Sequence, residues 1–406
     1  MTRPFLSKSR QLIIFICLAV LLSKATAVED GEEVHSIQTI GDYLNSVAEE
    51  ERQTSDKMEG KTDKSKQTTF QGLFTKPYAK LSEETLKEIY ENFKLMYHKN
   101  LANMDDVYRF NIFKKNLKKI EEHNSKASSY KMAITEFSIL TDEEFESEFL
   151  NPPTLVEQGP NLNIGAHGRL LTEATSIQSI LAKLPAEVDW TRKNKVTSVK
   201  HQQQCQGCYV FSAVAALESA ILIRHNTQII LSEQEIIDCS QEYQNNGCVG
   251  GQPSYVYDYI MNKGINLDDN YPYSGKEEKC KVPTMKGIFK RLRSYIYPEK
   301  NVISLIQYLQ YGPIAVNHYV PDDFKYYSSG IFNTSDCHHS TTINHSSLLV
   351  GYDFTKKPPF FKLKNSWGEK WGEKGYYKVE IGSLDFKNPG FCYLANNGFN
   401  VFPLVF

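Results

Sequence analysis

Cys208 closes the run Gln202-Gln203-Gln204-Cys205-Gln206-Gly207-Cys208 and opens an apolar stretch in which Val210, Phe211, Val214, Ala215, Leu217 and Ile221 recur with helical period. A thiolate, not a thiol, attacks a carbonyl carbon. A cysteine at a helix N-terminus beside an imidazole has that ionised form favoured by the helix dipole and the imidazolium charge. Two downstream segments can supply partners: His345 in Ile343-Asn344-His345-Ser346, and Asn365 in Lys364-Asn365-Ser366-Trp367-Gly368. Both follow Cys208 at, or slightly beyond, the separation of about 130 to 150 residues found for a Cys-His-Asn triad. In such a set His345 takes the thiol proton and later returns one to the leaving amine. Asn365 would hold the imidazole without adding a charge.

Each position also admits a blander chemistry. A lone cysteine in an apolar stretch is usually a small buried hydrophobe, and a lone histidine before a strand is usually a satisfied core or surface group. Three residue types in order, each inside its own motif, argue against coincidence. Cys205-x-x-Cys208 has the spacing of a redox pair, but no strand feeds it as in a redox βαβ unit. Cys337, His338 and His339 lack a fourth zinc ligand at a plausible spacing. No metal and no cofactor is expected.

The elements that must position these residues carry further motifs: Leu184-Pro185-Ala186-Glu187-Val188-Asp189-Trp190, Leu231-Ser232-Glu233-Gln234 ahead of Asp238-Cys239, Gly247-Cys248-Val249-Gly250-Gly251, and Asn365-Ser366-Trp367-Gly368-Glu369-Lys370-Trp371-Gly372. From about Leu86 to the C-terminus the chain resembles the papain and cathepsin cysteine peptidases. The resemblance implies an α+β fold of two domains, one helical and one a β-barrel, with the active-site cleft between them and a helical inhibitory prodomain in front. It makes Gln202 the oxyanion donor alongside the Cys208 backbone N–H, and Trp367 the indole that shields the His-Asn hydrogen bond. Gly250, Gly251, Pro253, Asn317, Ser346 and Trp367 would face substrate, with Gln252 and Asn397 near the S2 pocket. Departures are Gln203 and Gln206, where glycine is usual, and Tyr209, where Trp is commoner. Gln206 is expected to restrict S1. Unpaired amides in S2 are expected to blunt a preference for large apolar P2 residues. The competing class is a peptidase-like protein that has lost activity and captures peptides or inhibitors.

A chain of 406 residues with 41% hydrophobic content can bury a full-sized core, and a formal net charge of -2 argues against nucleic acid as a partner. At the N-terminus Arg3, Lys8 and Arg10 precede an apolar run from Leu12 to Leu22, followed by Ala25-Thr26-Ala27, which reads as a secretory signal peptide over residues 1–27. A signal anchor is the weaker reading, since the apolar run of about 11 residues falls short of the about 20 a spanning helix needs. No stable membrane anchor is expected, and the destination is the lysosome, a digestive vacuole or the exterior. With Cys17 in that segment and Cys208 free, six cysteines remain to pair in an oxidising compartment, which permits fifteen connectivities. The resemblance implies Cys205 with Cys248, Cys239 with Cys280, and Cys337 with Cys392. Of the acceptor sequons at Asn333 and Asn344, only Asn333 is expected to carry sugar, because a glycan beside His345 would obstruct the cleft.

Residues 28–85 read as an acidic leader of the propeptide, residues 86–149 as the inhibitory prodomain, residues 150–183 as a linker crossing the cleft, and residues 184–406 as the peptidase. Asp105, Arg109, Phe113, Asn116, Ile120 and Asn124 fall at steps of three or four on one side of a long helix. They resemble the family's propeptide helix motif, with an i, i+4 pair from Asp105 to Arg109. Around Tyr130 to Ile139 a second motif matches in part, keeping Phe137 but carrying Ala133, Thr135 and Ile139 at its other positions. The absence of an occluding insertion after Cys248 favours endopeptidase action. Polypeptide substrates, the chain's own propeptide and cystatin-like inhibitors are the partners implied, for a monomer.

Overall fold

The computed structural model describes residues 81–99, 103–155, 177–282, 292–334, 342–384, 390–395 and 398–406. The expected signal peptide, the leader up to residue 80, the middle of the linker, Cys337 and Asn397 lie outside them. All of the described residues belong to one compact unit, Lys76–Phe406.

Helix α1, Glu83–Met96, spans the expected prodomain start at Leu86, and the Ser82 side chain accepts from the Thr85 N–H to cap it. Its apolar face, Leu86, Ile89, Tyr90 and Phe93, is buried. It meets Phe110 and Phe113 of α2, Asn103–Asn124, through ring contacts at 5.1 to 5.3 Å. Each fully buried side chain of that size contributes roughly 1.5–3 kcal/mol. Strand β1, Tyr130–Met132, follows, then α3, Asp142–Phe149, opened by a capping box in which Thr141 and Glu144 satisfy each other's backbone N–H. Strand β2, Thr154–Leu155, follows in the segment expected to form the linker.

Past α4, Ile177–Leu181, and β3, Glu187–Asp189, three helices form the first half of the peptidase: α5, Cys208–His225, α6, Glu233–Cys239, and α7, Pro253–Lys263. Helix α5 is buried nearly all round, so its residues are apolar on every face. Asn226 in the left-handed region ends it, and Gly207 starts it without any side-chain cap. The second half contains β4, Leu292–Ile296, α8, Val302–Tyr308, β5, Ile314–His318, β6, Tyr327–Phe332, β7, Thr342–Ile343, β8, His345–Asp353, β9, Phe360–Lys364, β10, Tyr376–Glu380, and β11, Phe402–Val405. The main sheet runs β6-β10-β9-β8-β3, with β5 on β8, while β4 and β11 form a separate ribbon. The helical half and the strand-rich half are the α+β arrangement read from the sequence.

The prodomain is woven into this sheet. Strand β1 adds to β6 antiparallel, with Tyr130 opposite Gly330, and β2 pairs with β7 in a separate two-stranded sheet, with Thr154 opposite Ile343. Strand addition uses backbone hydrogen bonds that depend little on side-chain type. Disulfides join Cys205 to Cys248 and Cys239 to Cys280. Cys392 is disulfide-bonded as well, and Cys337 lies outside the described residues.

Candidate active site

Cys208 is the first residue of α5 and is fully buried. The free N–H groups of an uncapped helix start carry partial positive charge, which favours an anion there. His345 opens β8 and Asn365 follows β9, and antiparallel pairing of those strands brings the two together. His345 Nε2 lies 2.9 Å from Asn365 Oδ1. Because a carbonyl oxygen accepts, Nε2 carries the hydrogen and Nδ1 is left as the basic nitrogen. Among the described residues Nδ1 is buried without a hydrogen-bond partner, so no hydrogen bond joins it to Cys208 in this prodomain-covered form. Trp367 packs its ring 4.8 Å from the imidazole and is 1% exposed.

A second imidazole stands beside the first. His318 pairs with His345 across β5 and β8, with the two rings perpendicular at 5.5 Å. Its Nδ1 meets the Tyr319 carbonyl at 3.0 Å and its Nε2 meets the Tyr377 hydroxyl at 2.7 Å. Sequence reading did not single out His318, because only the strand register places it opposite His345.

Gln202 is buried against the loop that leads into Cys208. Its Nε2 donates to the Phe149 carbonyl at 3.0 Å and to the Cys205 carbonyl at 2.8 Å, and its Oε1 accepts from Ser366 Oγ at 2.6 Å. A prodomain carbonyl thus holds the amide that the sequence suggests for the oxyanion. Nearby, Asn151 donates to the Gly251 carbonyl at 3.3 Å, and its N–H donates to the Asn344 carbonyl at 2.7 Å. Gly250 has φ +114, and a Cβ there would lie 2.8 Å from Pro152. A Cβ at Gly251 would meet Tyr209 at 2.6 Å. Both glycines are therefore demanded by close packing. Pro253 is at the start of α7.

Burial sets the protonation states. It pushes the Cys208 thiol up to about 11, against hydrogen bonds from Ser346, Asn151 and Tyr209 that favour the thiolate. Burial likewise pushes His345 down to about 3, with His318 adding to the shift and the Asn365 hydrogen bond opposing it. Burial beneath the prodomain thus favours the neutral thiol and the neutral imidazole over the ion pair.

Several expectations require correction. Arg109 does not pair with Asp105, which is exposed; its guanidinium reaches Glu144 and the Ile139 carbonyl, tying α2 to the segment beside the cleft. The neighbouring Asp106 instead binds Tyr90 and Lys94. Asn317 and Ser346 do not present unpaired polar groups: Ser346 Oγ donates to Asn317 Oδ1, and Asn317 Nδ2 donates to the Phe399 carbonyl at 3.0 Å. The desolvation cost expected to blunt apolar P2 binding does not arise at these two positions. The Tyr209 hydroxyl donates to the Gly247 carbonyl at 2.9 Å, so this departure is accommodated in the core. Gln203 has φ +54, which explains why glycine suits that position.

Residues 184–398 match the papain family cysteine protease model, and residues 90–145 match the cathepsin propeptide inhibitor domain. The chain belongs to the papain family of cysteine proteases and carries that family's inhibitory prodomain. It is a cysteine endopeptidase in precursor form. Among its relatives, Pro-cathepsin H of Mus musculus is 31% identical over 76% of this chain and 91% of its own length. Papaya proteinase 4 of Carica papaya is 33% identical over 77% of this chain and 85% of its own length. The crystal structure of the ragweed pollen allergen Amb a 11 in its proform superposes with a TM-score of 0.68 at 30% identity, covering 80% of this chain and 95% of that one. Digestive procathepsin L 3 of Tenebrio molitor larval midgut gives 0.64 at 31% identity, covering 78% and 98%.

Proposed function

We propose that this precursor enters the secretory pathway and hydrolyses polypeptides through Cys208, His345, Asn365 and Gln202 once residues before about Leu184 are shed. Cys208 Sγ gives its proton to His345 Nδ1 and adds to the scissile carbonyl carbon, while the Gln202 amide and the Cys208 N–H hold the oxyanion. The C–N bond then breaks, the amine leaves with the proton from Nδ1, and a thioester remains. Water, deprotonated by Nδ1, attacks that thioester; the acid is released, and the thiol is restored. Asn365 keeps Nε2–H fixed so that Nδ1 faces the reaction throughout.

The observation that carries this reading is the division of the His345 ring: Nε2 is held by Asn365 at 2.9 Å, and Nδ1 is left without a partner. Its latency follows from the Phe149 carbonyl bound to Gln202 and from burial that keeps thiol and imidazole neutral. Admission of water on prodomain release lowers that burial cost and favours the thiolate-imidazolium pair. Relatives named as pro-cathepsins and as a KDEL-tailed cysteine endopeptidase of Arabidopsis thaliana support a secretory, lysosomal or vacuolar destination. The test compares trimmed Cys208→Ala, His345→Ala and Asn365→Ala variants on a peptide substrate. The first two should lose turnover and the third should retain part of it; undiminished turnover by Cys208→Ala refutes the assignment.

A further inference from the structure

The three alternate glutamines before the nucleophile each donate a side-chain amide to one of three consecutive prodomain residues. Gln202 Nε2 reaches the Phe149 carbonyl, Gln204 Nε2 the Glu148 carboxylate at 3.0 Å, and Gln206 Nε2 the Ser147 carbonyl. Ser147 and Phe149 lie in the last turn of α3, whose terminal carbonyls have no acceptor role within the helix, so the peptidase loop supplies the missing donors. Gln206 differs from the other two. Its Oε1 is buried and has no hydrogen-bond partner among the described residues. Its backbone N–H donates to the Cys248 carbonyl at 3.1 Å, which fixes it on the cleft wall between Cys208 and the Gly250-Gly251 turn. On the peptidase side it shares a hollow with Tyr319 and Asn344, the neighbour of His345, and in the precursor Ser147, Leu150 and Asn151 cover that hollow.

We infer that Gln206 is a specificity-determining residue of the released enzyme and selects a carboxamide side chain, Asn or Gln, at P1, the residue whose carbonyl is attacked. The inference rests on the catalytic reading above, since P1 is defined by Cys208. In the precursor the amide already binds a peptide carbonyl, which establishes that a donor is available at this wall. Beside it stands an acceptor that nothing satisfies. A carboxamide offers an acceptor and a donor side by side and meets both. A carboxylate offers acceptors, an ammonium offers donors and an alkyl chain offers neither, so each leaves a polar group of Gln206 unpaired when substrate covers the wall again. The same side chain takes space that a glycine would leave open, which disfavours aromatic P1 residues.

The experiment measures kcat/KM of the trimmed enzyme on peptides identical except for Asn, Gln, Asp, Leu or Phe at P1. Asn and Gln should exceed Asp and Leu by about tenfold, the scale of one well-made hydrogen bond that would otherwise be left unpaired, with Phe lowest. Gln206→Leu should erase the carboxamide advantage while still excluding Phe, and Gln206→Gly should erase it and admit Phe. A Gln206→Leu profile identical to wild type, or Leu equal to Asn in the wild type, overturns the inference. Calorimetric binding of the same peptides to Cys208→Ala protein, trimmed by an added protease, should show the same ranking. Ranked binding without wild-type turnover breaks the catalytic reading alone, whereas turnover without the ranking breaks this inference alone.

Discussion

Replacing Asp142 by asparagine removes the carboxylate that neutralises Lys325, a side chain of the peptidase that is 0% exposed while the prodomain is docked. Asp142 also binds Lys119 Nζ at 3.0 Å. Its carboxyl is held below the ordinary aspartate range: burial opposes ionisation, but the hydrogen bonds and charges of Lys325 and Lys119 outweigh it. Removing one partner of a buried pair costs about 3–5 kcal/mol, because the other charge stays desolvated. Asp142 itself is 29% exposed, which reduces that to roughly 2–3 kcal/mol. Undocking hydrates Lys325, so the penalty falls on the latent form, and at about 1.4 kcal/mol per tenfold the docking equilibrium weakens on the order of 10²-fold. The assay follows the appearance of peptidase activity from full-length precursor at neutral pH. Asp142→Asn should activate much faster than wild type, whereas Lys119→Gln, touching a more exposed pair, should have a small effect. An Asp142→Asn precursor as latent as wild type, with its folding intact, would refute this account of Lys325. A lowered carboxyl stabilises the docked form above its unperturbed value and loses that contribution only as pH falls through the lowered one, so Asp142 does not sense mild acidification.

Glu146 has the opposite sign: burial and the adjacent Asp322 carboxyl raise it, so docking gains as pH falls through the raised value. Glu146→Gln should therefore slow activation at neutral pH and leave it unchanged in acid; equal slowing at both would count against the assignment. Gln203→Gly should raise the stability of the precursor by about 1 kcal/mol, since φ +54 strains a side-chain-bearing residue, with an unchanged or lowered melting temperature as the contrary result. Glycopeptide mapping should find sugar at Asn333 and none at Asn344, whose side chain is buried and exchanges hydrogen bonds with the Val320 backbone at 2.7 and 3.0 Å. Gln202→Ala should cut turnover by the trimmed enzyme by on the order of 10²-fold if its amide serves the oxyanion; an unaltered kcat would remove it from that role.

Local pattern made much of this architecture readable. The run after Cys208 is apolar on every face because α5 is buried nearly all round, so its length and apolarity mark the helix, and short β-branched and aromatic runs mark β5, β8, β9 and β10. What escaped depends on which distant side chains meet. Arg109 and Asp105 have the spacing of a helical pair, yet Glu144, on another helix, takes the guanidinium. Asn317 and Ser346 look like exposed polar pocket walls until strand pairing sets them side by side. Gln206 reads from the sequence only as a side chain that narrows a pocket, and its second contact, the cap on the Ser147 carbonyl, depends on where α3 comes to lie.

In the proposed reaction Cys208 is a nucleophile silenced by its prodomain and primed by its removal. Full-length precursor and trimmed enzyme would be treated with an epoxysuccinyl thiol reagent, and the modified cysteine located by peptide mapping. Rapid labelling at Cys208 after trimming, with little before it, is the predicted result. Equal labelling in both forms would contradict the silencing, and a trimmed, folded protein whose Cys208 stays unmodified would contradict the nucleophile itself.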